Sequence, residues 1–380
     1  MTVPKRAKSA SAPATRRSAQ ERVAAVILAA GKGTRMRSEL AKALFPLCGK
    51  PMIWYTMEAA KSAGLSRRVV IVGHEAEQVK EAAGCDCEFV TQMPQRGTGH
   101  ALMSCEAALK RFRGTILVLY CDTPLIDAAT IRNLLAHHLR TRAAATVLSV
   151  ILDDPGNYGR IIRRPDHQVM AIVEAVDASA EQRKVHEVNA GLVAFEAPLI
   201  FEMLHRIRPH NLQEEYYLTD AIEELIAAGH RVEALVAESP LTTMGVNTRA
   251  DLATVESVLR QRVRERLMVS GVTLIDPPST FVDSGVEVGQ DTVIYPFCVI
   301  EGKTVIGSQS QVGPGCRLVD AHIGDRVQIS NSVVVEGVVP SGARLGPFAY
   351  LRDGRDTAAE AEPCAPSPPA ASKKRAAKRR

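Results

Sequence analysis

Gly31, Lys32 and Gly33 follow the apolar run Val23 to Ala30 with no polar spacer, and Thr34, Arg35 and Lys42 bring a hydroxyl and positive charge close behind. The run is short and rich enough in β-branched residues to be an inner strand, so the backbone must turn sharply as it leaves the core. Glycines at such a turn permit positive φ and let a ligand approach the main chain, where successive N–H groups form an anion-binding concavity. Gly31, Lys32, Gly33 and Thr34 therefore read as a phosphate grip, with Arg35 and Lys42 as its charge.

The spacing excludes two common alternatives. Gly31 and Gly33 are followed by Met36, which fits neither the Walker loop nor the dinucleotide fingerprint. The pattern Leu28, Gly31, Gly33, Thr34, Arg35, Met36 with Lys42 resembles the signature of the sugar-1-phosphate nucleotidyltransferases. Nucleotidyl transfer needs a nucleophile, charge dispersal at the α-phosphate and a stabilised pyrophosphate. A sugar-1-phosphate has a second pKa near ~6 and is largely dianionic at neutral pH, so it attacks without a general base. Alignment and electrostatics remain, for which Mg²⁺ and cationic side chains suffice. Mg²⁺ needs only one or two protein oxygens. Asp122, ending the apolar run TILVLYC, is the first candidate ligand. Its position equally suits a turn former, and spacing does not reveal a second ligand.

Positioning these groups falls to an α/β alternation between Val23 and about Ala237. Strand candidates are Val69 to Gly73, Thr115 to Cys121, Thr146 to Leu152, Val169 to Glu174 and Gly191 to Phe195, with helical patterns at Met52 to Ala63 and Ala128 to Thr141. This predicts a mostly parallel sheet with helices on both faces and a ligand crevice beyond the carboxyl ends of the strands. Arg249 to Met268 reads as a connecting helix. From Val288 an aliphatic residue begins each six-residue unit, often before glycine, with one unit a residue short at LVDAH. That period predicts a hexapeptide-repeat β-helix, and resemblance to hexapeptide-repeat proteins implies that its apolar faces pack around a three-fold axis.

Composition sets outer bounds. The 380 residues suggest two domains, and 46% apolar content can fill their cores. No apolar run reaches the ~18 residues of a membrane span. The net charge of +5 resides in the ends, since residues 1–22 carry +5 and residues 352–380 carry +4, leaving −4 between them. The folded part is thus no broad nucleic-acid platform. Both ends are poor in large apolar residues and read as disordered tails. The eight cysteines lack a disulfide framework, and Cys85 and Cys87 have no second pair to complete a zinc site. Reduced thiols in a cytoplasmic protein are expected.

Five further segments sharpen the resemblance: Gln92 to Ala101, Leu119 to Leu125, Asn157 to Ile161, Glu187 to Leu192 and Gln213 to Asp220, closed by Gly245-Val246-Asn247. In this order they resemble the bacterial bifunctional N-acetylglucosamine-1-phosphate uridylyltransferase and glucosamine-1-phosphate acetyltransferase family. The resemblance implies a Rossmann-like α/β nucleotidyltransferase domain followed by a short left-handed parallel β-helix. It further implies that Gln92, Gly97 and Thr98, with Leu28 to Gly31, hold uracil and ribose. Gly159, Glu174, Asn189, Tyr217 and Thr219 would hold the sugar phosphate, and Asn247 would join Asp122 on Mg²⁺. The expected boundaries are 23–247 for transfer, 248–269 for a linker helix and 270–352 for the β-helix, between tails at 1–22 and 353–380. UTP and a sugar-1-phosphate are the expected partners, in a homotrimer without specific nucleic acid.

Four positions depart from the family pattern. Cys121 replaces a glycine, Val176 a lysine, Ala190 a threonine and Glu214 a glycine. Coils of the acetyltransferase site have no counterpart after Leu345 to Gly354, so uridylyl transfer without acetyl transfer is expected. Another sugar-1-phosphate, dTTP as donor, or a non-catalytic sensor or scaffold remain alternatives.

Overall fold

We describe the protein from a computed structural model that covers residues 23–352 and the backbone of Arg355 and Asp356. Apart from Arg355 and Asp356, the expected tails at 1–22 and 353–380 lie outside the described residues. The chain divides into two compact units, Met1–Val255 and Glu256–Arg380.

The first unit is built on β1 (Val23–Leu28), the hairpin β2 (Pro46–Leu47) and β3 (Lys50–Pro51), then β4 (Arg67–Val72), β5 (Glu88–Thr91), β6 (Gly114–Tyr120), β7 (Ala145–Ile151), β8 (Arg160–Arg163), β9 (Val169–Val173), β10 (Glu187–Ala197) and β11 (Val232–Val236). Its main sheet has the order β11-β7-β10-β6-β1-β4-β5, with the β8-β9 hairpin attached through β10. Every residue of β1 is buried, because β4 and β6 flank it in parallel and helices cover both faces. Ala24, Val26 and Leu28 enter one core with α3 (Thr98–Ser104) and α7 (Leu218–Ala227). Val23, Ala25 and Ile27 enter the other with α1 (Met52–Ser62) and α5 (Ala128–Thr141). The period-two alternation of a strand thus feeds two cores from one uniformly apolar hexamer.

The sheet is less parallel than its sequence pattern suggests. β10 runs antiparallel to both β6 and β7. It follows the β8-β9 hairpin rather than a crossover helix, and antiparallel pairing requires no crossover. Its register with β7 shifts between Asn189 and Val193, where Gly191 takes a positive φ of 76°. This irregularity takes Ala190 to Leu192, just after Asn189, out of the uniform ladder beside the end of β6.

In the second unit, short strands form three all-parallel stacks up to residue 352, and Arg355–Asp356 adds an antiparallel end. Val293–Ile294, Val299–Glu301 and Val305–Ile306 make one coil and pair with Gln311–Val312, Arg317–Val319 and His322–Ile323 in the next. Ile294, Ile300, Ile306, Val312 and Leu318 point inward at six-residue intervals and are all at most 1% exposed. The interval shortens to five between Leu318 and Ile323, as the sequence indicates, but also from Ile329 to Val334 and from Val334 to Val339. Three consecutive valines at Val333 to Val335 conceal that step, because any of them can fill the interior position. Buried hydroxyls complete the corners. Thr292 Oγ1 donates to the Gly307 carbonyl at 2.7 Å and accepts from Ser310 N at 3.1 Å. Ser310 Oγ similarly serves Gly324 O and Val327 N. Turn groups that strand ladders leave open are satisfied this way.

Leu318 is fully buried in a middle coil. Leu318→Ala should cost about 2–5 kcal/mol of unfolding free energy through lost transfer and a residual cavity. Denaturant unfolding monitored on the intact chain measures it.

Candidate active site

Beyond the carboxyl ends of β1 and β6, a cavity of ≈ 450 Å³ opens against the glycine turn. The turn itself is shaped by Gly33, which adopts φ 63°. A Cβ there would stand 2.8 Å from Lys42 Cβ, so glycine permits both the left-handed backbone and the passage of the Lys42 side chain. Leu28, Ala30, Gly31, Gly33 and Thr34 line the cavity. Ala29 does not; it belongs to the opposite core, and its amide donates to Ile71 O at 2.9 Å.

Charge converges on the cavity from widely separated segments. Lys42 Nζ forms an ion pair with Asp122 Oδ2 and donates to Asn247 Oδ1 at 3.0 Å. Arg35 Nη2 donates to that same amide oxygen at 2.8 Å. Backbone contacts hold the carriers together: Cys121 N donates to Leu28 O at 3.2 Å, and Val246 N to Asp122 O at 2.8 Å. The carboxylate of Asp122 and the amide oxygen of Asn247 thus face one cation position. Two hard oxygens suit Mg²⁺ or a similar ion that completes its shell with water and phosphate. No group of three or more His, Cys, Asp or Glu able to hold a metal exists among the described residues.

A polar wall stands opposite. Gln92, 3% exposed, donates through Nε2 to Gly97 O at 3.0 Å and lies 3.1 Å from His100 Nδ1. Burial, with Arg96 nearby, lowers the pKa of His100, which favours the neutral ring. Gln95, not singled out from the sequence, donates to Ala30 O at 2.6 Å and lines the same cavity. It ties the glutamine loop to the glycine turn. Its position three residues after Gln92 in the same segment was the available signal. Tyr120 is a second such residue; alternation along β6 places it on the face of Val118, toward the cavity. Burial, with Glu174 close by, pushes its phenol well above the usual range.

Thr98 links this wall to a second cavity of ≈ 420 Å³ by accepting from Leu218 N at 3.0 Å. Glu174, Tyr217 and Thr219 line that second space. Thr219 Oγ1 donates to Glu174 Oε1 at 3.4 Å, and Tyr217 OH to Gln213 Oε1 at 2.6 Å. Gly159 lies directly under the Glu174 carboxylate, where a Cβ would come within 3.3 Å of Oε2, and its carbonyl accepts from Asn189 N at 2.8 Å. Asn189 Oδ1 in turn accepts from Gly191 N at 3.0 Å. Acidic groups crowd here. Burial raises the Glu174 pKa, assisted by Asp220 and Asp177. Burial likewise lifts Asp220 to about 6 and Tyr217 to about 12.

The four departures have different structural weight. Cys121 is buried with its thiol pushed up to about 12 by burial, so it fills space as a neutral group. Ala190 is 2% exposed, whereas Val176 is 49% exposed. Glu214 occupies a left-handed position at φ 53°, where glycine carries no Cβ penalty. Asn211 offsets that strain: its Oδ1 accepts from Gln213 N and Glu215 N, and its Nδ2 donates to Glu215 O at 2.6 Å.

Comparison with known proteins places this geometry in context. A family model described as the MobA-like NTP transferase domain matches residues 25–187. The chain is 48% identical over 330 residues to the "Bifunctional protein GlmU" of Pelotomaculum thermopropionicum, covering 87% of this chain and 72% of that one. It is 44% identical over 328 residues to the protein of that name from Geobacillus thermodenitrificans, covering 86% and 72%. Among solved structures, UDP-glucose pyrophosphorylase complexed with UDP-glucose matches with a TM-score of 0.50 and 19% identity, over 63% of this chain and 98% of that chain. This last likeness speaks to the fold.

Two outcomes follow from the geometry. Gly33→Ala should displace Lys42 from its shared contacts and lower turnover far more than it lowers the melting temperature, as steady-state kinetics and thermal unfolding can compare. Asp220→Asn should raise the melting temperature at pH 7.5. Asp220 has a folded pKa of about 6, above its ordinary 3.8, so its favourable contribution exists below the ordinary value and disappears as pH rises through 6. The advantage of asparagine should therefore shrink toward zero at pH 4.

Proposed function

This chain belongs to the GlmU family and is a sugar-1-phosphate nucleotidyltransferase, and we propose that it transfers UMP from UTP to N-acetylglucosamine-1-phosphate, releasing pyrophosphate. The observation that carries this reading is the convergence of Lys42, Arg35, Asp122 and Asn247 on one cavity walled by the glycine turn. A non-catalytic binder has no need to gather two cations and two cation ligands at one point.

In the proposed reaction, backbone N–H groups of the glycine turn donate to the phosphate oxygens of UTP. Gln92 and Gln95, with Gly97 and Thr98, frame the uracil and ribose. A buried amide facing a pyrimidine edge discriminates because a wrong base leaves polar groups unpaired. Gly159, Glu174, Asn189, Tyr217 and Thr219 orient the acceptor, whose dianionic phosphate attacks the α-phosphorus of UTP. Pyrophosphate leaves from the opposite side. Arg35 and Lys42 neutralise the triphosphate and the charge that gathers during transfer. Lys42 would give up part of its hold on Asp122 to do so, leaving the oxygens of Asp122 and Asn247 to hold a divalent ion. The family's reaction uses a divalent metal, and we assign it here as Mg²⁺ held by Asp122 and Asn247, where it supplies charge neutralisation at the transferring group. Residues 23–247 would carry the transfer, 248–269 would connect, and the repeats at 270–352 would assemble a homotrimer.

A pyrophosphate-release panel of nucleoside triphosphates against sugar-1-phosphates tests the substrate assignment. UTP with N-acetylglucosamine-1-phosphate should give the highest kcat/KM, and a different best pair would replace it. Asp122→Ala should lower kcat on the order of 10²–10³-fold while the protein stays folded. Near wild-type turnover would remove Asp122 from the metal site. Arg35→Ala and Lys42→Ala should each depress kcat more than they raise the KM of the sugar phosphate. EDTA should abolish turnover, and added Mg²⁺ should restore it.

A further inference from the structure

We infer that Arg249 is a positioning residue that locks the Arg35 turn and the Lys42 turn into register with Asn247. Three observations meet at this side chain. Its Nε donates to the carbonyl of Met36 at 3.3 Å. Met36 closes the 3-10 turn Thr34–Met36 that carries Arg35. The Arg249 guanidinium also stacks on the ring of Phe45, with Cζ 4.4 Å from the ring centre. Phe45 caps the second 3-10 turn, Lys42–Leu44, through its N–H to Lys42 O. One planar group therefore grips the ends of both turns from outside the cavity.

Its own base is rigid and leads directly to the site. Asp251 Oδ2 accepts from Asn247 N at 2.9 Å and from Thr248 N at 2.8 Å, and Asp251 N donates to Thr248 Oγ1 at 3.2 Å. This reciprocal cap fixes the first turn of α8 (Arg249–Val269), with Asn247 just ahead of it. Asn247 Oδ1 is the atom to which both Arg35 and Lys42 donate. The two cations and their shared acceptor are thus joined twice, inside the cavity through hydrogen bonds and outside it through Arg249. The outer connection matters most when substrate arrives. Arg35 and Lys42 must then exchange Asn247 for phosphate oxygens, and the inner contacts loosen. With Arg249 in place, the turns keep their positions through that exchange. Misplacement of reacting groups by about 1 Å can cost about 100-fold in rate.

The role rests on the reading of Arg35 and Lys42 as the cations of the transfer, and the test separates the two. Steady-state kinetics on the full chain would compare wild type, Arg249→Ala, Arg35→Lys, the double variant and Arg260→Ala. Arg260 is the matched control, because it lies on the same helix and stacks on Phe281 at the same 4.4 Å, within the second unit. Arg249→Ala should lower kcat by about 10- to 100-fold, with the sugar-phosphate KM within about twofold of wild type and an unchanged melting temperature. Measured in the Arg35→Lys background, that loss should shrink by about threefold or more, since the two residues act through one turn. Arg260→Ala should match wild type.

An unchanged kcat in Arg249→Ala, an equal loss in both backgrounds, or a loss confined to KM would overturn the positioning role while leaving the transfer assignment intact. Wild-type turnover in Arg35→Ala would overturn both the positioning role and the reading of Arg35 as a cation of the transfer. Should the substrate panel select another nucleotide and sugar pair, the same comparison with that pair decides the role of Arg249.

Discussion

The Lys42 ammonium, shared between the Asp122 carboxylate and the Asn247 amide oxygen, is the interaction on which the candidate site depends. Its side chain is only 13% exposed and that of Asp122 only 22%. Charges this sheltered need each other, because removing either leaves its partner desolvated without compensation. Meeting that need draws the glycine turn, the end of β6 and the start of α8 to one point. The resulting cluster has a ready use. In the proposed reaction Asp122 and Asn247 would hold a divalent ion while Arg35 and Lys42 would face phosphate.

Around that point the backbone is held by features costly in themselves. Gly33 is left-handed so that Lys42 can pass, and Glu214 is left-handed without a glycine's freedom, compensated by the Asn211 hydrogen bonds. The carboxyls beside the second cavity crowd one another, with Glu174 and Asp220 both raised by burial. Local strain and like-charge crowding at a cleft, surrounded by two well-filled cores, fit a scaffold whose stability is spent on a pre-organised site. In its proposed role Arg249 extends the same logic outward, through the Met36 carbonyl that ends one short turn and the Phe45 ring that caps the other.

The second unit solves a different problem with a simpler rule. An aliphatic residue every six positions fills the interior, and buried hydroxyls of Thr292 and Ser310 close the corners. Where the interval falls to five, a coil shortens without losing its inward residue. The rule tolerates this because each strand contributes a single interior side chain, so a shortened corner disturbs no neighbouring one.

Local pattern determined much of this protein by itself. The apolar hexamer ending in Gly31-Lys32-Gly33 shows a buried strand feeding an anion-binding turn, and the hexapeptide period shows stacked coils, because both are properties of consecutive residues. Motif order carried the resemblance as far as Gln92, Asp122 and Asn247. Tertiary structure decided what depends on meetings across long separations. Nothing near Lys42 in the chain indicates that it and Arg35 would share the amide oxygen of Asn247, which lies 205 residues beyond Lys42. Nor does Gln95 reveal from its neighbours that it would hold Ala30 O, or Arg249 that it would span two turns. The antiparallel course of β10 and the side on which Ala29 falls were likewise settled by sheet pairing. Spacing along a chain reports periodicity; only folding selects which distant polar groups satisfy one another once water is excluded.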